Sequence, residues 1–169
     1  MKTLTTEFLQ QFSLFAGLSK KHLEKVRSIM TTRTITEGGY IIKENDKGNE
    51  MFLLLDGEVE VSRSLLLKIS GGMNQRDKLL NKLTANDHAF FGEMGLFDEQ
   101  SERSASVVAS TKCTVAVLEQ ESFFHLTEAD KEIGYVILKN ILKIVSDRLD
   151  KTTKDVLKLT TALSLALER

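Results

Sequence analysis

The chain has 169 residues, 41% of them hydrophobic, which is enough for one well-buried core and short for two, so one domain with a tail is expected. Its 23 basic and 24 acidic residues leave a formal net charge of −1, which excludes a global field drawing it to nucleic acid or anionic lipid. The longest apolar run, 51–55, is far too short to span a bilayer, and the first seven residues lack the apolar stretch of a secretory signal, so a soluble cytoplasmic protein without a membrane partner is expected.

Phe8, Leu9, Phe12 and Phe15 recur near helical spacing up to Gly17, which predicts an N-terminal helical lid. Ser19 caps a second predicted helix, with Leu23, Val26 and Met30 as its apolar stripe and Lys20, Lys21, Glu24 and Lys25 toward water. From Arg33 the period becomes strand-like. Segments at 34–36, 40–43 and 51–55 are separated by turns at Glu37-Gly38-Gly39 and at Glu44-Asn45-Asp46 with Gly48. Residues 51–55 read as a buried strand, Asp56-Gly57 as a tight hairpin turn, and 58–62 as its alternating partner, together a meander. Residues 65–69 and 78–83 form the arms of a long hairpin turning at Gly71-Gly72. Arg63, Lys68, Arg76, Lys78 and Lys82 make that hairpin basic, and solvated charge is the expected role. Asn86-Asp87-His88 turns the chain into Phe90.

Residues 91–107 then read as an anion-binding cradle. Gly92 lets backbone approach a ligand, the next residues can wind one short turn with free N–H groups, and Arg103 adds a fork that matches two oxygens of a phosphate. Glu93 offers acceptors for hydroxyl groups, so the pair suits a sugar phosphate, and Ser104 and Ala105 are small enough to bring further N–H groups close.

The runs Phe-Gly-Glu-Met-Gly-Leu (91–96) and Arg-Ser-Ala-Ser-Val (103–107) resemble the phosphate-binding cassette of cyclic nucleotide-binding domains in the catabolite activator protein superfamily. Gly92, Glu93, Arg103, Ser104 and Ala105 match the motif position by position, and Met94 stands within it. The resemblance implies a cyclic nucleotide ligand, cyclic AMP first and cyclic GMP also possible, with Glu93 on the ribose 2′-hydroxyl, Arg103 on the cyclic phosphate, and Ser104 and the Ala105 N–H completing the cradle. Asn45 stands where the family usually has glycine, but asparagine also tolerates a left-handed backbone. The hairpin at 65–83 is longer than in the activator proteins. The lone Cys113 cannot hold an iron–sulfur cluster, which argues against an oxygen-sensing member, and with Val115 and Val117 on one strand face it reads as a buried, inert thiol. His22, His88 and His125 show no metal-ligand spacing, so neither a metal nor a cofactor is expected.

Residues 104–109 and 113–118 close the sheet. So many short strands joined by turns imply an antiparallel β jelly roll, mainly β, flanked by N-terminal helices and a long C-terminal dimerisation helix. Phe123, Phe124 and Leu126 lie on a helix against the roll, and Thr127-Glu128-Ala129-Asp130 has capping-box spacing, so a new helix is predicted to begin near Glu128. The expected organisation is therefore a β-roll domain over 1–127 and a coiled-coil helix over 128–169.

In that helix Leu138, Leu142, Val145, Leu149, Thr152, Val156, Leu159, Leu163 and Ala166 alternate steps of four and three, the seam of a coiled coil, which predicts a parallel homodimer. Ile133, Ile137, Ile141 and Ile144 form a second stripe expected to pack on the roll. Residues 148–156 are similar to the activator helix in which two adjacent hydroxyl residues meet the adenine base. That resemblance implies contacts to adenine N6 from Thr152 and Thr153, one from each subunit; a threonine bonded to its own helix backbone is the equal alternative. Only residues 157–169 follow and they continue the heptads, so no recognition helix and no direct DNA binding are expected. No Ser-His-Asp order or Walker loop occurs, and Asp98, Glu99 and Glu102 fall in an exposed loop, so an enzyme is not expected. The sensor reading competes with a ligand-free dimerisation module of the same fold and with the sensor half of a longer regulator.

Overall fold

The structure is a computed structural model that describes residues 4–69, 72–97 and 102–167, without the side chains of 65–69 and 72–76. Two four-stranded antiparallel sheets face each other. One has the order β1 (Met30–Ile35), β8 (Cys113–Glu119), β3 (Glu50–Asp56), β6 (Phe90–Phe91); the other β2 (Tyr40–Ile42), β7 (Ser106–Ala109), β4 (Glu58–Ile69), β5 (Gly72–Thr84). This is the expected jelly roll.

β3 explains why its sequence shows no alternation. Met51, Leu53 and Leu55 point into a cluster shared with the helices, whereas Phe52 and Leu54 point between the sheets, so both faces are dry. β8 repeats the arrangement, with Ala116 and Leu118 toward the helices and Cys113, Val115 and Val117 inward. The Cys113 thiol donates to the Glu58 carbonyl at 3.1 Å, and burial pushes its pKa up, which keeps it inert.

The hairpin expected at Asp56-Gly57 is not formed. β3 pairs with β6 and β8 while β4 pairs with β5 and β7, so Gly57 turns a corner from one sheet to the other. Its φ is +91°, and a Cβ there would lie 2.7 Å from the Lys112 carbonyl oxygen. A strand that must bury both faces takes an inner place in its own sheet, and the meander gives way to a crossover. The long hairpin is formed, with β4 and β5 paired from Glu58↔Thr84 to Ile69↔Gly72. Gly71 of its turn lies outside the described residues, as do Asp98 and Glu99.

The N-terminal helix is broken in two: α1 (Thr6–Leu9), capped by the Thr5 hydroxyl, and a 3-10 turn at Ser13–Phe15. Phe12 between them is extended. A continuous helix would aim one stripe at the core, whereas the break buries Leu9, Phe12, Leu14 and Phe15 together. α2 (Lys20–Ser28) is capped by Ser19 as expected, but it stops before Met30, which opens β1 and is still buried.

The helix boundary predicted near Glu128 falls at Asp130 instead. Thr127 sits in the last turn of α3 (Gln120–Ala129), its hydroxyl donating to the Phe124 carbonyl, and α4 runs Lys131–Leu167. Asp130 is the residue that accepts from the Ile133 N–H, and the Lys25 ammonium 2.7 Å away holds its carboxyl below the usual carboxylate range. Gly134 in the first turn of α4 has a packing reason, since a Cβ there would stand 2.9 Å from Thr127 Cβ, where α3 and α4 touch. Ile133, Ile137 and Ile141 are buried in the cluster of the N-terminal helices and outer sheet faces, with Ile144 beside them. Asn140 fastens α4 to the N-terminal turn by donating to the Leu14 and Ala16 carbonyls, each at 2.9 Å.

Candidate functional site

β6 delivers Phe91 to Gly92, whose φ of +78° turns the chain into the short 3-10 helix Glu93–Leu96. That turn is held from behind by Gln120 at the head of α3, whose Nε2 donates to the Leu96 carbonyl at 3.0 Å. The second half of the cassette is pinned to the turn between β2 and β3. The Arg103 N–H donates to the Asp46 carbonyl at 2.8 Å and the Asn45 N–H to the Arg103 carbonyl at 2.9 Å. Asn45 takes a φ of +68°, the left-handed conformation expected of it.

These constraints bring both halves around a cavity of about 300 Å³. Arg103 is half-buried at one end. Its Nη2 donates to the Glu50 carbonyl at 2.8 Å and its Nη1 to the Gly92 carbonyl at 3.1 Å, so among the described residues three of its five N–H groups have no partner. Burial lowers its pKa while the Glu50 and Glu93 carboxylates pull it up, and a guanidinium so placed stays cationic. Glycines make room for it, because a Cβ would stand 2.5 Å from Arg103 Nη1 at Gly95 and 2.6 Å from Nη2 at Gly48.

Glu93 is largely buried, with 12% of its side chain exposed, and its Oε1 accepts from Arg148 Nη1 at 2.6 Å. Arg148 comes from α4. Its guanidinium also lies 5.3 Å from the centroid of the Phe90 ring and reaches the Phe90 carbonyl at 3.4 Å. Ile42, Val61, Leu83, Phe91 and Val107 give the cavity an apolar wall, and Asn81 and Glu102 add polar lining. A cation at one end, a carboxylate beside it and an apolar wall fit a sugar phosphate that carries a flat ring.

Of the residues expected in the site, Gly92, Glu93, Met94, Arg103, Ser104 and Ala105 all line this cavity, Met94 as an exposed rim residue. Thr152 and Thr153 do not line it. Both are exposed, and their hydroxyls donate to the Arg148 and Leu149 carbonyls, each at 2.9 Å. Arg148 went unnoticed as a site residue, because one arginine among the alternating Asp and Lys of 147–155 carries no signal until the helix is laid against Glu93. Gly48 was legible only as a turn residue, and Gly95 only as part of the cassette run. Among the described residues no helix is long and apolar enough to cross a membrane.

The family profile described as cyclic nucleotide-binding domain matches residues 32–130. The chain is 33% identical over 139 residues to the cAMP-activated global transcriptional regulator Vfr of Pseudomonas aeruginosa, which covers 80% of this chain and 59% of that protein. It is 32% identical over 117 residues to the cGMP-dependent protein kinase egl-4 of Caenorhabditis elegans, covering 69% of this chain and 14% of the kinase. The structure resembles the catabolite activator protein of Thermus thermophilus with a TM-score of 0.72 at 26% identity, over 88% of this chain and 63% of that one. The chain thus spans less than two thirds of the length of each of these relatives.

Proposed function

The chain belongs to the cyclic nucleotide-binding domain family, whose modules regulate rather than catalyse, and from that premise we propose that it is a sensor of cyclic AMP that reports occupancy through α4. The observation that carries this reading is the placing of Arg103 and Glu93 in one cavity, with Glu93 already bonded to Arg148 of α4. The cyclic phosphate sits on the free N–H groups of Arg103 and the Ser104–Ala105 backbone. The ribose 2′-hydroxyl donates to Glu93, and the base lies along the apolar wall. Because that hydroxyl and Arg148 share one carboxylate, occupancy changes what holds the helix.

The proposal divides the chain into a sensing unit over 1–127 and a signalling helix over 128–169, paired with a second copy along the seam from Leu138 to Ala166. Leu142 and Leu149 on that seam are each about two thirds exposed in the single chain, which supports a partner helix there. By the resemblance of 148–156 to the activator helix, the preference for adenine rests on Thr152 and Thr153, one from each subunit. In the single chain each hydroxyl donates to its own helix carbonyl, the equal alternative, and keeps lone pairs that can accept from an amino group of a base.

The test is a titration with both cyclic nucleotides, read as melting temperature. Cyclic AMP at about 100 times its dissociation constant stabilises by roughly 2.7 kcal/mol, and cyclic GMP does so only at higher concentration. No shift with either nucleotide at millimolar concentration overturns the sensor and leaves a ligand-free dimerisation module.

A further inference from the structure

Within one chain the base has little to bond. Thr152 and Thr153 do not line the cavity, and among the described strand residues that do, Asn81 of β5 is the one polar side chain. Register puts it there. Val61 of β4 stands opposite Asn81 on one side and opposite Val107 of β7 on the other, and side chains paired across strands share a face. Asn81, Val61 and Val107 thus form one row along the cavity. A β-bulge makes the placement. The hairpin pairs Ser62 with Leu79 and then Val61 with Asn81, so Leu80 is an extra, unpaired residue. Continued from Ser62 and Leu79 without it, the ladder would set Leu80 opposite Val61 and Lys82 opposite Val59. The bulge therefore seats Leu83 rather than Lys82 on the apolar wall. With that shift an amide stands where a leucine would have stood, while Leu79 and Leu80 are left 46% and 54% exposed. Bulges often re-aim a side chain beside a functional site in this way.

The amide also has a fixed sense. Its Oδ1 accepts from the Lys82 N–H at 2.9 Å, whereas its Nδ2 has no partner among the described residues. Turning the amide over would set its NH2 group against the Lys82 N–H. We infer that Asn81 reads the base, its Nδ2 donating to a ring nitrogen beside the adenine amino group and the second lone pair of its Oδ1 accepting from that amino group. The inference rests on the cyclic AMP reading of the cavity and adds to it a base contact made by the β-roll itself, with no second subunit. Guanine carries an oxygen where adenine carries the amino group, and in the same placement that oxygen would face Oδ1. An amide held in one sense cannot turn to suit it, so Asn81 is a specificity-determining residue. One lost hydrogen bond on an exposed rim sets the size of the effect.

Calorimetric titration of the full chain with cyclic AMP, cyclic GMP and the 1-deaza and 7-deaza analogues of cyclic AMP tests this. Each analogue lacks one of the two ring nitrogens that flank the amino group. The wild type is expected to bind one of them about threefold to tenfold more weakly than cyclic AMP, the worth of one hydrogen bond. Asn81→Ala is expected to lose that difference, and its preference for cyclic AMP over cyclic GMP is expected to fall by a similar factor. Asn81→Asp keeps the size and the acceptor but not the donor, and is expected to lose the difference as well. Asn81 is exposed, so both variants are expected to keep the circular dichroism of the wild type. A wild type that binds both analogues as tightly as cyclic AMP, or variants that keep the full difference, overturns the role of Asn81 and leaves the sensor standing. A wild type that binds neither natural nucleotide overturns both.

Discussion

The two polar ends of the cavity are built differently. Arg103 is held entirely from within the β-roll, by the Glu50 and Gly92 carbonyls, by the glycines that clear its path and by backbone bonds to the turn between β2 and β3. Glu93, ten residues earlier in the same cassette, takes its partner from a helix that leaves the body of the protein just beyond that contact. The phosphate end is complete whether or not α4 stays in place. The sugar end is complete only while it does. Affinity should therefore reside at Arg103 and the signal at Glu93, and substitutions at the two ends should fail in different ways.

Arg103→Ala gives the largest expected effect. It removes a partly buried, hydrogen-bonded charge, a loss of about 2–5 kcal/mol or more than tenfold in affinity, and the melting shift with cyclic AMP should vanish. Calorimetric binding within threefold of wild type would instead place the phosphate elsewhere. Next is Gly95→Ala, which keeps every polar group but puts a Cβ 2.5 Å from Arg103 Nη1 and 2.6 Å from the Gly48 carbonyl oxygen. Overpacking of this kind costs about 1–3 kcal/mol, so both the melting temperature and the affinity should fall. An unchanged affinity would mean that the guanidinium is free to rearrange, and the contrast between a rigid and a conditional end would lose its first half. The double change Thr152→Ala with Thr153→Ala should leave the phosphate end untouched and reduce the preference for cyclic AMP over cyclic GMP by about threefold to tenfold, the worth of one hydrogen bond. Equal selectivity in variant and wild type would remove the two threonines from base recognition.

The asymmetry also explains what could be read from the sequence. The cassette was legible because its residues are contiguous and their spacing is imposed by backbone geometry, as with Gly92 at positive φ and Asn45 in the turn beneath it. The isoleucine stripe of α4 was legible by its period and is buried as expected. What escaped depends on contacts between segments far apart in the chain. Nothing near Asp56-Gly57 tells a hairpin from a corner between sheets, since the choice is made by β8 and β6, which take both edges of β3 and leave none for β4. The capping box at Thr127 had the correct spacing, yet Asp130 closes the helix because Lys25, 105 residues away, sits beside its carboxylate. Arg148 is the same case, since its role exists only once folding brings it beside Glu93, 55 positions earlier in the chain.

The smallest change in affinity is expected from Arg148→Ala, and it decides most about the comparison. The Arg148 side chain is 49% exposed, and an ion pair with a partner that open contributes about 0–1 kcal/mol, so affinity for cyclic AMP should stay within about fivefold of wild type. Two effects oppose each other: the variant frees Glu93 for the ribose hydroxyl and also removes a positive charge from the mouth of the cavity. The helix should respond quite differently. In the wild type, ligand competes for the carboxylate that anchors α4, so amide exchange in the turns around 148 should differ between free and bound protein. In the variant that anchor is absent in both states, and the difference should vanish while the cassette still gains protection on binding. A loss of affinity as large as that of Arg103→Ala would show that Arg148 grips the nucleotide itself. A helix that still responds in full would show that the signal leaves the cavity by another route, and the sugar end would then be no more conditional than the phosphate end.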